Sequence, residues 1–377
     1  MRSRESTWGV LALATMTLAA PTTSDGDDTW DAVGRVVAVG DIHGDYDQLV
    51  TVLRDTGLVD DKTRWVGGKA WLVQTGDRVD RGPDSRKVMD LLQRLEKEAK
   101  KAGGAVQALL GNHEAMNMLG DLRYVTPEEF AAFRGPDSER RRDAYWEALQ
   151  ADRKKKGEPP LGDEERKRFD AEHPLGWVEH RLAFRPDGEY GAWLKRENAV
   201  IRVGETLFLH GGLSPKYADF ALRDLNEKIR AELADPDPLT ALVSQDPDGP
   251  LWFRGLAQGD PALAAHLEAV LAKHRCRRMV VGHTVTDGNL VFPRYAGRVV
   301  QIDVGLSKVY GGPPAALVLE DGKAFAMHRG KKLALPETEG EPVLRYVREV
   351  AALEPSPARL QPVIERLESA LTAGPRP

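Results

Sequence analysis

The chain has 377 residues, 41% hydrophobic and 29% charged, a balance that suits a soluble globular protein with a sizeable core and excludes wholesale disorder or a membrane bundle. Its 53 Lys and Arg against 58 Asp and Glu give a net charge of −5, which offers no electrostatic footprint for coating a nucleic acid. The single cysteine, Cys276, rules out an intrachain disulfide and a zinc site built from several thiolates, so any metal must be held by His, Asp, Asn or Glu.

At the N-terminus, Arg2 and Arg4 precede an apolar stretch from Trp8 to Ala20 that ends in small residues, followed by a polar run from Thr22 to Thr29. This is the layout of a secretory signal peptide over residues 1–20, and it predicts export to the periplasm or the medium. The stretch is too short for a membrane span, so no stable membrane insertion is expected after cleavage; without cleavage or export the chain would be cytoplasmic. Short apolar runs then predict buried strands at Arg35–Val39, Trp71–Thr75, Val106–Leu110, Thr206–Leu209, Arg278–Val281 and Arg298–Ile302. Helical patterns lie between them, over residues 45–56, at the stripe Val88, Leu91, Leu92, Leu95 and Ala99, and over 261–275. The alternation reads as an α/β fold. Residues 121–196 are crowded with charge but carry Phe130, Phe133, Tyr145, Trp146, Phe169, Trp177 and Trp193, which predicts a helical cap inserted between core strands rather than a linker. A lid that selects substrate is the sharper reading of the same segment. The expected organisation is one α/β domain over residues 31–330 carrying this insertion, with a helical tail over 331–377.

The ends of the predicted strands carry the chemistry. After the first come Asp41 and His43, after the second Asp77, Asp80 and Arg81, after the third Asn112 and His113, after the fourth His210, and after the fifth His283, each beside glycine. In an α/β sheet the loops at the carboxyl ends of strands converge, so clusters far apart in sequence become neighbours. Oxygen and imidazole donors suit Mn, Fe or Zn better than a thiolate-preferring metal, and a central aspartate could bridge two ions about 3.5 to 4 Å apart. A lone Asp-x-His or His-Gly-Gly is more often a turn with a satisfied histidine; five such clusters, each directly after an apolar run, have no comparable structural explanation.

The ordered motifs GDIHG, GDRVDRG, GNHE, HGG and GHT resemble the calcineurin-like metallophosphoesterases, specifically the phosphoprotein phosphatase branch. The helical insertion and the stretches WLKRENAVIRVGETLFLHGGLSP and IDVGLSKVYGG are most similar to the Shewanella-like protein phosphatases. The resemblance implies an α/β sandwich of central β-sheets flanked by helices, and two divalent metal ions, Mn above Fe or Zn. It implies that Asp41, His43 and Asp77 hold the first ion and that Asp77, Asn112, His210 and His283 hold the second. His113 would act as the general acid with Asp80 orienting it, and Arg81, Arg254, Asn112 and Tyr310 would bind phosphate. The implied reaction is direct attack of a hydroxide bridging the two ions on a phosphorylated protein or peptide. Where the Ser/Thr-specific members carry an SAPNYCG-like segment this chain has Ile302 to Gly312, and the Shewanella-like members favour phosphotyrosine, so both phosphotyrosine and phosphoserine/threonine remain open.

Other mechanisms fare worse. A cysteine-dependent phosphatase needs an arginine at a fixed short distance after its nucleophile, and Gly282 stands there relative to Cys276. Neither a GxxxxGK[ST] phosphate loop nor a GxSxG elbow is present. A dinucleoside polyphosphate hydrolase of the same superfamily is the main alternative, and a phosphoprotein-binding pseudoenzyme the minor one. His173, His180, His266, His274 and His328 lie outside the motifs and read as surface or helix residues.

Overall fold

The computed structural model describes residues 27–31 and 33–373; the signal peptide expected at residues 1–20 lies outside the described residues. The strands run in chain order as β1 (Thr29–Trp30), β2 (Arg35–Val39), β3 (Trp71–Gln74), β4 (Ala105–Ala108), β5 (Val200–Val203) and β6 (Thr206–Leu209). They continue as β7 (Arg278–Val281), β8 (Phe292–Arg294), β9 (Val299–Gln301), β10 (Ala315–Glu320), β11 (Lys323–His328) and β12 (Lys331–Ala334). Two six-stranded sheets result, one ordered β12-β11-β10-β2-β3-β4 and the other β1-β5-β6-β7-β9-β8. In the first, β2, β3 and β4 are parallel, with Val36 opposite Trp71 and Leu72 opposite Val106. In the second, β6, β7 and β9 are parallel, with Leu207 opposite Met279 and Val280 opposite Val300. These are the six strands that the apolar runs predict, and β3, β6 and β7 are buried at every position, as parallel strands covered on both faces must be. One contiguous hydrophobic core draws on both sheets, and Trp30 of β1 stands edge-on to Trp71 of β3 at 5.3 Å where they meet.

The helix Ser85–Lys101 shows how pattern becomes packing. Val88, Leu91, Leu92, Leu95 and Ala99 are all buried, and Lys100 and Lys101 sit in the last turn, where the helix dipole favours positive charge. Gly103, just beyond the end, adopts φ 81°, a left-handed conformation that glycine takes without a Cβ clash.

The tail joins the body more closely than a boundary at residue 330 implies. That boundary falls within the β11–β12 hairpin, where Phe325 pairs with Ala334 and His328 with Lys331. The later helices Glu341–Ala351 and Gln361–Thr372 place Val343, Val347, Val350 and Val363 in the core. The strand was hidden because Lys331–Ala334 has exposed side chains and no apolar run. His328 is likewise neither a surface nor a helix residue: it is buried on β11, with Nε2 2.7 Å from Glu354 Oε1.

Residues 121–196 form five helices, at Pro127–Ala132, Ser138–Lys155, Asp163–Glu172, Trp177–Ala183 and Gly191–Leu194. Phe133, Phe184, Tyr190, Trp193 and Leu194 belong to the main core. The two longest helices do not: Ser138–Lys155 buries Ser138 alone and Asp163–Glu172 buries Phe169 alone, held by a stack of Tyr145, Phe169 and His173.

Candidate active site

Because the two parallel triplets present their carboxyl ends to a common place, the site is assembled half from each sheet. Asp41 and His43 follow β2, Asp77 to Arg81 follow β3, and Asn112 and His113 open the helix Asn112–Leu119 after β4. From the other sheet come His210 after β6 and His283 after β7. Glycine permits the close approach: a Cβ on Gly282 would lie 2.5 Å from Asp41 Oδ1, and one on Gly40 would lie 2.4 Å from the Ile302 carbonyl oxygen. The backbone is bent hard here. Non-glycine residues His43, Asp77, Asp80, Arg81 and His283 all have φ between 46° and 68°, a conformation that costs about 1–3 kcal/mol each and persists only where surrounding structure enforces it.

Asp77 is the hub. Its Oδ1 accepts the His113 backbone N–H at 3.0 Å, and its Oδ2 lies 3.2 Å from His210 Nε2, 3.7 Å from His113 Nε2 and 3.8 Å from His43 Nε2. Two groups with ligand atoms within 4.8 Å of one another share it: His43, Asp77 and His113, and Asp77, His210 and His283. His210 Nε2 also lies 3.0 Å from Asn112 Oδ1. Their other ring nitrogens are committed to carbonyls, His43 Nδ1 to Val79 at 3.1 Å, His210 Nδ1 to Thr75 at 2.8 Å and His283 Nε2 to Trp252 at 3.0 Å, which fixes which nitrogen faces the centre. Burial pushes His43 down to about 3 and, with His210, pushes His283 down to about 2, so both imidazoles are neutral with lone pairs free.

Asp41 sits slightly apart from the tight first group, in which His113 stands instead. Its Oδ1 accepts the His283 N–H at 3.0 Å, while its Oδ2 is 3.9 Å from His43 Nε2. Asp303, two residues after β9, is buried and lines the same cavity as Asp41. Burial and then the Asp303 charge push Asp41 well above the usual carboxylate range, and burial raises Asp303 to about 6. Two buried carboxyls side by side, with the neutral His43 close by, require a proton or cation between them. The donor set therefore fits divalent metal.

Beside the hub, His113 Nδ1 lies 2.5 Å from Asp80 Oδ2, and Asn117 Nδ2 donates to Asp80 Oδ1 at 2.9 Å. Burial opposes charge on His113, yet Asp77 and the hydrogen-bonded Asp80 outweigh it and hold its pKa above the ordinary value. The remaining expected residues, Arg81, Arg254 and Tyr310, line the same cavity of about 180 Å³ with Tyr124, Trp252 and Val285. Arg81 Nη2 is 3.2 Å from His113 Nε2, and Arg254 Nη1 donates to the His283 carbonyl oxygen at 2.5 Å.

A buried ion network lies beneath the site, joining motif residues to which the sequence assigns no role: Arg78 of GDRVDRG, Glu114 of GNHE and Glu197 of WLKRENAVIR. Glu114 accepts backbone N–H groups from Asp77, Arg78 and Gly111 at 2.9, 2.8 and 2.7 Å. Arg78, fully buried, lies 3.4 Å from Glu114 and forks onto Glu197 at 2.8 and 2.6 Å. Removing the cation strands two buried carboxylates, so Arg78→Met is expected to lower the unfolding free energy by about 3–5 kcal/mol in urea denaturation; a loss under about 1 kcal/mol would show that the network carries no such charge.

An α/β body whose strand ends bring buried imidazoles, carboxylates and an amide around one aspartate, with arginines alongside, defines a metal-dependent hydrolase of phosphoesters. The family model for calcineurin-like phosphoesterase matches residues 34–287, and the chain belongs to that family. It is 33% identical over 314 residues to an uncharacterized protein of Schizosaccharomyces pombe, covering 80% of this chain and 82% of that one. It is 30% identical over 294 residues to Shewanella-like protein phosphatase 2 of Arabidopsis thaliana, covering 73% and 72%. The crystal structure of the cold-active protein-tyrosine phosphatase of a psychrophilic Shewanella species superposes with a TM-score of 0.63 at 26% identity, over 83% of this chain and 85% of that one.

Proposed function

We propose that the chain is a protein phosphatase that prefers phosphotyrosine over phosphoserine and phosphothreonine, working with two manganese ions and exported through residues 1–20. The observation that carries the catalytic reading is the His113–Asp80 pair set against the Asp77 hub in a cavity lined by Arg81 and Arg254. In this reading Asp41, His43 and Asp77 hold one ion and Asp77, Asn112, His210 and His283 the other. When bound, such a pair supplies Lewis-acid charge and lowers the pKa of water toward neutrality. Arg81 and Arg254 take the phosphate oxygens through planar donor forks, and Tyr310 closes one side. His113, protonated on Nε2 and steadied at Nδ1 by Asp80, gives its proton to the departing oxygen. The names of the Arabidopsis and Shewanella relatives support a protein substrate and the latter a tyrosine ester; the symmetrical bis(5'-nucleosyl)-tetraphosphatase of Baumannia cicadellinicola aligns with 31% of this chain and that of Escherichia coli with 20%. Manganese rests on the donor set, and export rests on the sequence of the first thirty residues alone.

The test is a matched panel of phosphotyrosine, phosphoserine and phosphothreonine peptides with diadenosine tetraphosphate, assayed on metal-loaded protein. Phosphotyrosine peptide should show the highest kcat/KM, chelation should abolish turnover, and Mn should restore it. Faster hydrolysis of the dinucleotide than of every peptide would overturn the assignment.

A further inference from the structure

The cavity accommodates a phosphate among charged groups, but its mouth is of a different character. Tyr124 is 40% exposed and Val285 36% exposed, large apolar side chains left open beside a polar floor. Tyr124 is held in place rather than loose: its carbonyl oxygen accepts the Arg81 backbone N–H at 3.0 Å, and the Arg81 guanidinium lies over its ring at 4.9 Å. Arg123 beside it is turned away onto Asp121. On the far side Arg81 also faces Tyr310 at 5.3 Å, so the phosphate-binding arginine stands between two rings. The rings differ in what else they flank. Tyr310 leans on His43 at 5.7 Å, whereas Tyr124 lies 4.9 Å from the ring of His113.

That asymmetry matters if His113 protonates the leaving oxygen, the reading on which this inference rests. The group bearing that oxygen must then emerge beside His113 and hence beside Tyr124. We propose that Tyr124 is the specificity-determining residue on the leaving-group side, its exposed ring stacking on the aryl ring of the ester undergoing hydrolysis. Offset or edge contact between aromatic rings adds attraction beyond the area buried, enough for about a tenfold change in kcat/KM. An alkyl ester offers no ring and gains nothing comparable. Because Tyr124 stands at the head of the 121–196 insertion, the insertion reaches the substrate through this residue, while its long outer helices stay clear of the core.

The experiment compares phenyl phosphate with glycerol 2-phosphate on the metal-loaded protein and on Tyr124→Phe and Tyr124→Ala, with inorganic phosphate as a competitive inhibitor. Tyr124→Ala should lose about tenfold in kcat/KM on phenyl phosphate, mostly through KM, and change less than about twofold on glycerol 2-phosphate and in the phosphate inhibition constant. Tyr124→Phe should match the parent. A role limited to supporting His113 gives the opposite pattern, because the alkyl ester has the poorer leaving group and depends more on the general acid, and a role limited to supporting Arg81 lowers both esters alike and weakens inhibition by phosphate. Equal losses on both esters, a larger loss on the alkyl ester, or no loss on phenyl phosphate would overturn the proposal. Melting curves on each variant separate these outcomes from misfolding. If the parent turned over neither ester, the phosphatase reading would fall and this one with it; if it favoured alkyl esters, the tyrosine preference alone would fall and the ratio at Tyr124 would still decide its role.

Discussion

Asp77→Asn is expected to remove metal and activity together. Both ligand groups pass through this one carboxylate, whose Oδ2 faces His210, His113 and His43 within 3.8 Å while Oδ1 is held by the His113 N–H. The substitution keeps the shape but deletes the negative charge, and it can turn an amide N–H toward imidazole lone pairs. Charge neutralisation and water activation together are worth several kcal/mol, so the rate should fall by about 10³-fold or more at ~1.4 kcal/mol per decade. Metal content by plasma emission and kcat/KM on a phosphomonoester are to be measured on the same sample. Retained turnover with full metal content would remove Asp77 from the bridging position.

His113→Asn separates metal binding from proton transfer. His113 Nδ1 is occupied by Asp80 at 2.5 Å and its Nε2 borders the cavity, so although the ring falls in one of the two clusters, its loss leaves all six proposed ion ligands, Asp41, His43, Asp77, Asn112, His210 and His283, in place. Metal content should be unchanged while turnover of an alkyl phosphate drops about 10²- to 10⁴-fold, the usual contribution of a positioned general acid. Para-nitrophenyl phosphate, whose leaving group needs little protonation, should suffer far less. Equal damage to both substrates would show that His113 does something other than deliver a proton.

The six predicted strands and the five clusters behind them were readable because each ligand follows an apolar run and is flanked by glycine, a local signal that survives in one dimension. Asp303 carries half of that signal: it follows the apolar run Arg298–Ile302 but is flanked by Ile302 and Val304 rather than glycine, within the segment that differs from the Ser/Thr-specific members. Arg78, Glu114 and Glu197 were not legible in that way, since their partnership joins positions 119 residues apart and exists only once the sheets have docked. Tyr124 gives no such signal, standing among the charges of the insertion as one exposed aromatic without periodic companions. The left-handed backbone at His43, Asp77, Asp80, Arg81 and His283 was also invisible, because their residue types favour the opposite conformation and the surrounding structure overrides that preference. Lys331–Ala334 shows the same limit in a plainer form: it is a strand by pairing alone.

The division of the donors between two sheets bears on more than catalysis. Asp41, His43, Asp77 and Asn112 belong to one sheet and His210 and His283 to the other, so a cation that needs donors from both binds only when the two halves are closed on each other. Its affinity is then also cohesion, adding about 2.7 kcal/mol to the closed state when free metal is 100 times its dissociation constant. In thermodynamic terms, metal activity and closure of the seam are linked variables. An environment that withholds metal would loosen the molecule along the line between its halves, so scarcity would lower how long the chain survives as well as how fast it works.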